Sequence, residues 1–487
     1  MKSKSFFFSA LISCSLLSVG SLILSCSDSS QPPNIVILLA DDLGYGDLRC
    51  YGGIANTPNI DRLASNGIRF SDFYAAAPNC SPSRVGLLTG REPSEVGMYN
   101  YLAPNHPMHL RSEELTLAEM LKERKYHTGH FGKWHVSCLP QNPELNQPQP
   151  HDQGFDYSFG TENNAIPSHL DPVNFVRNGK PVGLLQGYSC DLVVEEAISW
   201  LKTISKDPKP YLLYVAFHEP HKVVASPPEL IAKYAQHSTQ DAEYFANIEN
   251  MDRAVGRLLE AMSNDMESGN TLILFASDNG SYRNGSNGKL LGGKSFIYEG
   301  GIRVPGILYW KGKVLPKQVI SEPVGLVDIM PTICHLSALQ HPDEEKLDGV
   351  NIWPLIMHRD FKRKKPLSWF FYRTSPEMAM RIGRYSVLGK DLDTTKFTHA
   401  FTAPDMHAIK NMSLEDFVIY DLETDPGQEY GIEFSDLTEA ESYMRMLEKR
   451  LREIQDEGPV WQDLPPATGI KKLKSEWRQL RPDGFSN

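Results

Sequence analysis

Residues 34–42 read Asn34-Ile35-Val36-Ile37-Leu38-Leu39-Ala40-Asp41-Asp42: six apolar residues in a row, three of them β-branched, that stop on two carboxylates. A strand wetted on one face alternates apolar with polar, whereas one covered on both faces is apolar throughout, so this stretch reads as a central strand of a largely parallel sheet. Two further runs share its character. Pro210-Tyr211-Leu212-Leu213-Tyr214-Val215-Ala216-Phe217 ends on His218-Glu219-Pro220-His221, and Thr271-Leu272-Ile273-Leu274-Phe275-Ala276 ends on Ser277-Asp278-Asn279-Gly280. Ligands of open α/β sheets bind beyond the carboxyl ends of the strands, so these three polar ends are expected to converge. The fold class that follows is α/β: a large central, mostly parallel sheet flanked by helices, with a smaller C-terminal α+β subdomain.

Helical signals lie between the strands. Thr57-Pro58 offers a cap and a first-turn proline for a short helix that stops near Gly67, and Thr116-Leu117-Ala118-Glu119 is a capping-box pattern with Leu117, Met120 and Leu121 facing inward. From Asp241 the apolar positions Tyr244, Ile248, Met251, Val255, Leu258 and Met262 step by three and four, which predicts a long amphipathic helix. Alternation of β and α continues to about Leu355. The charged stretch from Arg359 to Pro366 then reads as a linker, which places a catalytic domain at 34–358 and the subdomain at 367–487, with a helix around Ala440 to Gln455.

The chain has 487 residues, 41% hydrophobic and 22% charged, with 36 Gly and 34 Pro, which is globular composition and excludes a disordered, collagenous or polytopic membrane protein. Its 49 basic and 60 acidic residues give −11 with no long basic run, which argues against nucleic acid, whose binders want a basic face, as a partner. An anion would still be bound if cations were gathered in a cleft. Lys2 and Lys4 precede an apolar stretch from Phe6 to Leu24 that ends in Ser25-Cys26, followed by a polar, Pro-containing run to Pro33. This is read as an export signal (1–25), a lipidated Cys26 and a tether (26–33), rather than as a permanent span, because serine recurs through the apolar stretch. The expected location is periplasmic or outer-membrane-anchored, as a bacterial lipoprotein whose contact with membrane is through the lipid alone. The mature form keeps Cys50, Cys80, Cys138, Cys190 and Cys334, an odd number, and any pairing among the four other than Cys80 is left open.

Four residue groups carry chemistry. Asp41, Asp42, Asp278 and Asn279 put oxygen donors at two strand ends, which suits a hard cation, Ca²⁺ or Mg²⁺, better than zinc; alternatively, they cap helices. Pro78-Asn79-Cys80-Ser81-Pro82-Ser83-Arg84 reads as a helix start with Ser81 as cap and Pro82 in the first turn. An Arg one turn in makes an anion site and would lower the pKa of the Cys80 thiol, unless that cysteine is merely structural. Gly132-Lys133-Trp134-His135 places a cation and an imidazole on one side if the segment is extended, and Leu291-Gly292-Gly293-Lys294 is a Gly-rich loop that carries another cation.

Cys80-Ser81-Pro82-Ser83-Arg84 with Leu88-Thr89-Gly90-Arg91 resembles the signature of type I sulfatases, members of the alkaline phosphatase superfamily whose signature Cys is oxidised to formylglycine. Asp41 to Asp47, Gly132-Lys133-Trp134-His135, Asp278-Asn279-Gly280 and Gly292-Gly293-Lys294 are similar to the family's other motifs, in the same order. Asp421-Leu422, Asp425-Pro426 and Glu429 resemble its C-terminal segment. The resemblance implies an alkaline phosphatase-like sheet and an arylsulfatase-like sulfuric ester hydrolase. It further implies a formylglycine-generating maturation enzyme as partner and a sulfated carbohydrate or aryl sulfate as substrate. By position, Cys80 would become the formylglycine nucleophile, and Asp41, Asp42, Asp278 and Asn279, with the residue at 80, would hold one Ca²⁺ per chain. Arg84, Lys133 and Lys294 would neutralise charge, His135 would take a proton in the second half-reaction, and His221 would face the leaving oxygen; His218 is read as a packing neighbour. Lys125, where the family usually has Gly, and Phe131, where it has a small residue, are departures that bear on loop geometry. The competing readings are a phosphatase or phosphodiesterase of the same superfamily, against which Cys80 and the all-oxygen donors argue, and a non-catalytic glycan-binding lipoprotein.

Overall fold

The continuous apolar runs become neighbouring strands. In the computed structural model, which describes residues 32–464 apart from 283, 392–396 and 399–400, together with the short strand at 470–471, five parallel strands form the centre. They are β1 (Asn34–Asp41), β2 (His127–Lys133), β3 (Tyr157–Thr161), β4 (Tyr211–Pro220) and β5 (Thr271–Ser277), in the spatial order β5-β1-β4-β2-β3. Val36 of β1 stands opposite Leu213 on one side and Ile273 on the other, so the three runs read from sequence are mutually in register. Five further strands complete ten: Gly306–Tyr309, Ile68–Phe70 and Gln318–Ile320 continue beyond β5, the first two joined antiparallel and the last parallel to its neighbour, and Val176–Arg177 and Lys180–Pro181 continue antiparallel beyond β3. The signal segment and Cys26 lie outside the described residues, and no described helix is long and apolar enough to cross a membrane.

Alternate side chains of β1 enter different layers, as the unbroken apolar run requires. Ile35, Ile37 and Leu39 belong to one core and Val36, Leu38 and Ala40 to another. The first core also holds Val85, Leu87 and Leu88 of helix α1 (Cys80–Thr89), while the second is built with α2 (Ser189–Ile204) and α3 (Thr239–Ala261). All six apolar positions read from Tyr244 to Met262 are buried. Fully burying side chains of this size is worth about 1.5–3 kcal/mol each, so the two layers hold β1 rigidly between them.

The capping box at Thr116 is present, with Glu119 N–H donating to the Thr116 hydroxyl at 3.2 Å and Thr116 N–H to the Glu119 carboxylate at 2.8 Å. Two caps differ from expectation. Asn79, not Ser81, precedes α1, because the Ser81 hydroxyl accepts Leu102 N–H at 3.0 Å instead. Thr57 likewise turns its hydroxyl to Arg49 N–H and the Asp61 carboxylate rather than capping Pro58–Ser65. In both cases a tertiary partner outcompetes the local one.

Residues beyond Pro366 form the antiparallel sheet Leu367–Phe370, Met378–Ile382, Tyr385–Lys390 and Asp416–Asp421, with the helix Ala440–Glu457 against it. Trp369, Leu388 and Leu447 share the first core with β1, and the Trp369 indole donates to Ala75 O at 2.8 Å. The stretch read as a linker is tied down: Arg363 pairs with buried Asp328, and the Lys365 ammonium donates to Glu345 O at 2.8 Å and Leu347 O at 2.9 Å.

Candidate active site

The three strand ends do converge. Asp41 is the last residue of β1, Asp42 follows at φ 62°, and Asp278 and Asn279 follow β5, where Asp278 N–H donates to Ala40 O at 3.1 Å. Carboxylate oxygens of Asp41, Asp42 and Asp278 lie within 4.8 Å of one another, and all four side chains are buried. Each carboxylate faces a cation from another element. Lys133, at the end of β2, places Nζ 2.7 Å from Asp41; Arg84 of α1 donates Nη2 and Nε to Asp278 at 2.7 and 3.0 Å; Lys294 reaches Asp42 at 2.7 Å. Burial acts to raise the Asp41 carboxyl, but Lys133, His221, Arg84 and Lys294 together hold it well below the usual range. Asp278 moves the other way, raised by burial and by the neighbouring charge of Asp41 against the pull of Arg84. Like charges are crowded here.

Cys80 opens α1 and is 3% exposed, beside this cluster. The expectation of a lowered thiol pKa is corrected: burial raises it, and Lys133 and Lys294 do not compensate. An unmodified Cys80 is therefore a protonated thiol and a poor nucleophile.

The histidines separate by position. His135 is not on an extended segment; its φ is 55°, and its buried ring sets Nε2 3.0 Å from Leu102 O while Nδ1 has no partner. Burial, with Lys133, holds it well below the usual histidine value, so the ring is neutral, Nε2 donates to the carbonyl, and Nδ1 is the atom open to a proton. His221 places Nε2 3.5 Å from Asp42 and Nδ1 2.6 Å from Lys222 O, and burial followed by Lys294 brings it down to about 4. His218, read as a packing neighbour, bonds Thr161 Oγ1 at 2.8 Å. Phe131 packs on Tyr157 and Trp200 without disturbing β2, and Lys125 adopts φ 61°, the backbone conformation in which glycine is favoured. Cys50, Cys138, Cys190 and Cys334 are all free thiols.

Sequence reasoning missed the loop that lies over Cys80. The Asn100 carboxamide oxygen accepts from Asn79 Nδ2 at 3.1 Å and from Tyr101 N–H at 2.9 Å. It gave no role to Glu219, which at the end of β4 is buried against the start of α2, where Ser189 Oγ and Cys190 N–H donate to it. Neither carries a motif, since both act through partners remote in sequence.

The donor set fits a hard cation. Asp41 Oδ1 and Asn279 Oδ1 are buried and without hydrogen-bond partners, next to three crowded carboxylates, and every donor is oxygen.

The family described as "Sulfatase" matches residues 33–338, and "N-sulphoglucosamine sulphohydrolase, C-terminal" matches 291–457. The chain is 33% identical to human arylsulfatase A over 445 residues, covering 83% of this chain and 84% of that one. It is 33% identical to rat N-acetylgalactosamine-6-sulfatase over 392 residues, covering 74% and 72%. Among solved structures it resembles Ps i-CgsB in complex with k-i-k-neocarrahexaose, with a TM-score of 0.76, 28% identity and coverage of 89% and 96%. A phosphonate monoester hydrolase of Agrobacterium radiobacter, at 19% identity and a TM-score of 0.57, shares the fold.

Proposed function

The chain belongs to the sulfatase family and is a sulfuric ester hydrolase, and from that premise we propose that it cleaves sulfate esters of carbohydrates, using a formylglycine made from Cys80 and one Ca²⁺. The observation that carries the site assignment is the matched cluster of Asp41, Asp42 and Asp278 against Arg84, Lys133 and Lys294, with two orphaned oxygens left over. Its three negative and three positive groups cancel, so the residues alone offer no net attraction for an anion. Asp41, Asp42, Asp278 and Asn279 would hold the cation, which when bound would supply positive charge toward the sulfuryl oxygens, and the residue at position 80, as a hydrated aldehyde, would supply the attacking hydroxyl. Arg84, Lys133 and Lys294 are preorganised cations against charge that grows as the ester bond breaks. His135 takes a proton at Nδ1, its other nitrogen being fixed on Leu102 O. His221, anchored through Nδ1–H on Lys222 O, turns Nε2 toward the site, where it would protonate the leaving oxygen after taking up a second proton.

The carbohydrate assignment is supported by Ps i-CgsB, solved with a neocarrahexaose, and by the N-acetylgalactosamine-6-sulfatase relatives. Export, lipidation of Cys26 and a formylglycine-generating partner belong to the same reading and rest on the sequences of residues 2–33 and 80–91. The test is sulfate and phosphate release from matched aryl esters, followed by a panel of sulfated sugars. Sulfate release, with at least one sugar turned over, is expected; faster phosphate release, or activity confined to aryl esters, would overturn it.

A further inference from the structure

Arg84, Arg91, Arg303 and Arg381 are buried, and each pairs with a carboxylate: Asp278, Glu114, Asp72 with Glu299, and Asp72. Arg373 is the exception. It is 5% exposed, and among the described residues no carboxylate pairs with it. Its Nε has no partner, and its Nη1 lies 3.5 Å from Asn100 Oδ1, at the limit of a hydrogen bond. That oxygen already accepts from Asn79 and Tyr101, so it holds Nη1 weakly and leaves Nε unpaired. A buried charge without a counterion is costly, and a fold that retains one has a use for it.

The place of Arg373 gives that use. It stands in the turn between Leu367–Phe370 and Met378–Ile382, and so is delivered by the C-terminal sheet to the loop over the site. That loop is bound to the reacting residues on three sides: Asn100 holds Asn79, the residue before Cys80; Leu102 N–H is held by Ser81; Leu102 O is held by His135. The Tyr101 hydroxyl, raised chiefly by burial, lies in the combined field of Arg373, Cys80 and Lys294, which places the unpaired guanidinium in the electrostatic neighbourhood of the nucleophile position. Guanidinium presents a planar fork of donors that matches carboxylate or sulfate oxygens pairwise.

We propose that Arg373 is a substrate-binding residue that pairs with a second oxyanion, a carboxylate or a further sulfate, carried by the substrate beside the ester that is cleaved. The assignment rests on the sulfatase reading above and narrows its substrate class to sugars with at least two negative groups. Arg84, Lys133 and Lys294 are occupied by the carboxylate cluster, whereas Arg373, among the described residues, is a buried cation with no carboxylate partner and so is available to a group other than the scissile sulfate.

The test uses full-length matured enzyme and compares wild type, Arg373→Ala and Arg373→Lys. The substrates are nitrophenyl sulfate, an otherwise uncharged sugar monosulfate, the corresponding disulfate, and a sulfated disaccharide containing a uronate. Wild type is expected to favour one of the two doubly charged sugars. Arg373→Ala should lose kcat/KM on that sugar about 10- to 100-fold beyond its loss on nitrophenyl sulfate, mainly through KM. Arg373→Lys should recover part of the loss, and keeping the charge it also serves if the alanine variant fails to fold. Preference for the disulfate identifies a sulfate as the second group, and preference for the uronate a carboxylate. Equal losses on all four substrates, or a wild type with no preference between singly and doubly charged sugars, would overturn the inference while leaving the sulfatase reading in place. Matured wild type that releases no sulfate from any substrate would overturn the reading itself.

Discussion

Replacing Asp278 with Asn tests the proposed metal site where it is most constrained. The side chain is fully buried; one oxygen takes both Arg84 bonds, at 2.7 and 3.0 Å, and the other takes Asp42 N–H at 3.2 Å. Asparagine has the same shape but a single acceptor oxygen, so either Arg84 or the Asp42 amide loses its partner. The local balance changes from three positive and three negative groups to three and two. Stripping one partner from a buried ion pair costs about 3–5 kcal/mol; the retained amide oxygen argues for the lower end, about 3 kcal/mol, in calcium-free protein. A ligand that binds only the folded state, present at about a hundredfold above its Kd, adds about 2.7 kcal/mol of stability. Wild type should therefore gain that increment when calcium replaces chelator, and Asp278→Asn should gain almost none. The assay is urea unfolding followed by tryptophan fluorescence, with calcium, with zinc and with chelator, so the readout is independent of activity. An equal calcium-dependent rise in both proteins, or a rise with zinc alone in wild type, would refute the assignment.

Three further outcomes are expected. The peptide containing Cys80, from protein made together with a maturation enzyme, should show by mass spectrometry an aldehyde in place of the thiol, and Cys80→Ala should abolish sulfate release; a fully active protein that retains the thiol would contradict this. His221→Ala should slow cleavage of a sugar sulfate by about 10²–10³ but of nitrophenyl sulfate by much less, because nitrophenolate leaves without a proton; kcat on the two substrates decides it. Glu92, 3% exposed, is pushed up to about 7 by burial, with Asp348 adding to this against Arg450. A raised folded value means that its stabilisation is complete below about pH 4.5 and is lost as pH climbs through about 7, a change of up to about 3 kcal/mol, so Glu92→Gln should flatten the stability profile across that window; an unchanged slope in calorimetry would reject it.

Three of the five central strands, β1, β4 and β5, and the carboxylate cluster were legible because each is written locally as an apolar run and the residues on which it stops, whereas β2, with its histidines, glycines and lysine, has no such run. Strand β3, Tyr157–Thr161, was not legible either, since five residues containing Ser, Gly and Thr form a strand only because β2 offers an edge. The cap of α1 was misassigned to Ser81 because its hydroxyl is claimed by Leu102, 21 residues away. The direction of the Cys80 shift was missed for a related reason: helix terminus and cations are visible in sequence, whereas the burial that outweighs them is a property of the assembled core. Arg373 and Asn100 are 273 residues apart, and neither has a pattern around it.

The burial of Cys80 bears on when the proposed modification would have to take place. Its side chain, 3% exposed, is fixed in the first turn of α1, while Asn79 just before it is held by Asn100 and Ser81 just after it by Leu102. An enzyme that oxidises this residue must take several flanking residues into its own cleft, and the folded chain cannot release them without undoing the loop, the helix start and the core beneath. If Cys80 is the formylglycine precursor proposed above, maturation and folding would be in a race that each polypeptide runs once. On that proposal, molecules that folded first would be sealed with an inert thiol and the specific activity of a preparation would record the timing of its synthesis; supplying the oxidising enzyme to purified native protein should then not raise it, whereas supplying it during refolding should.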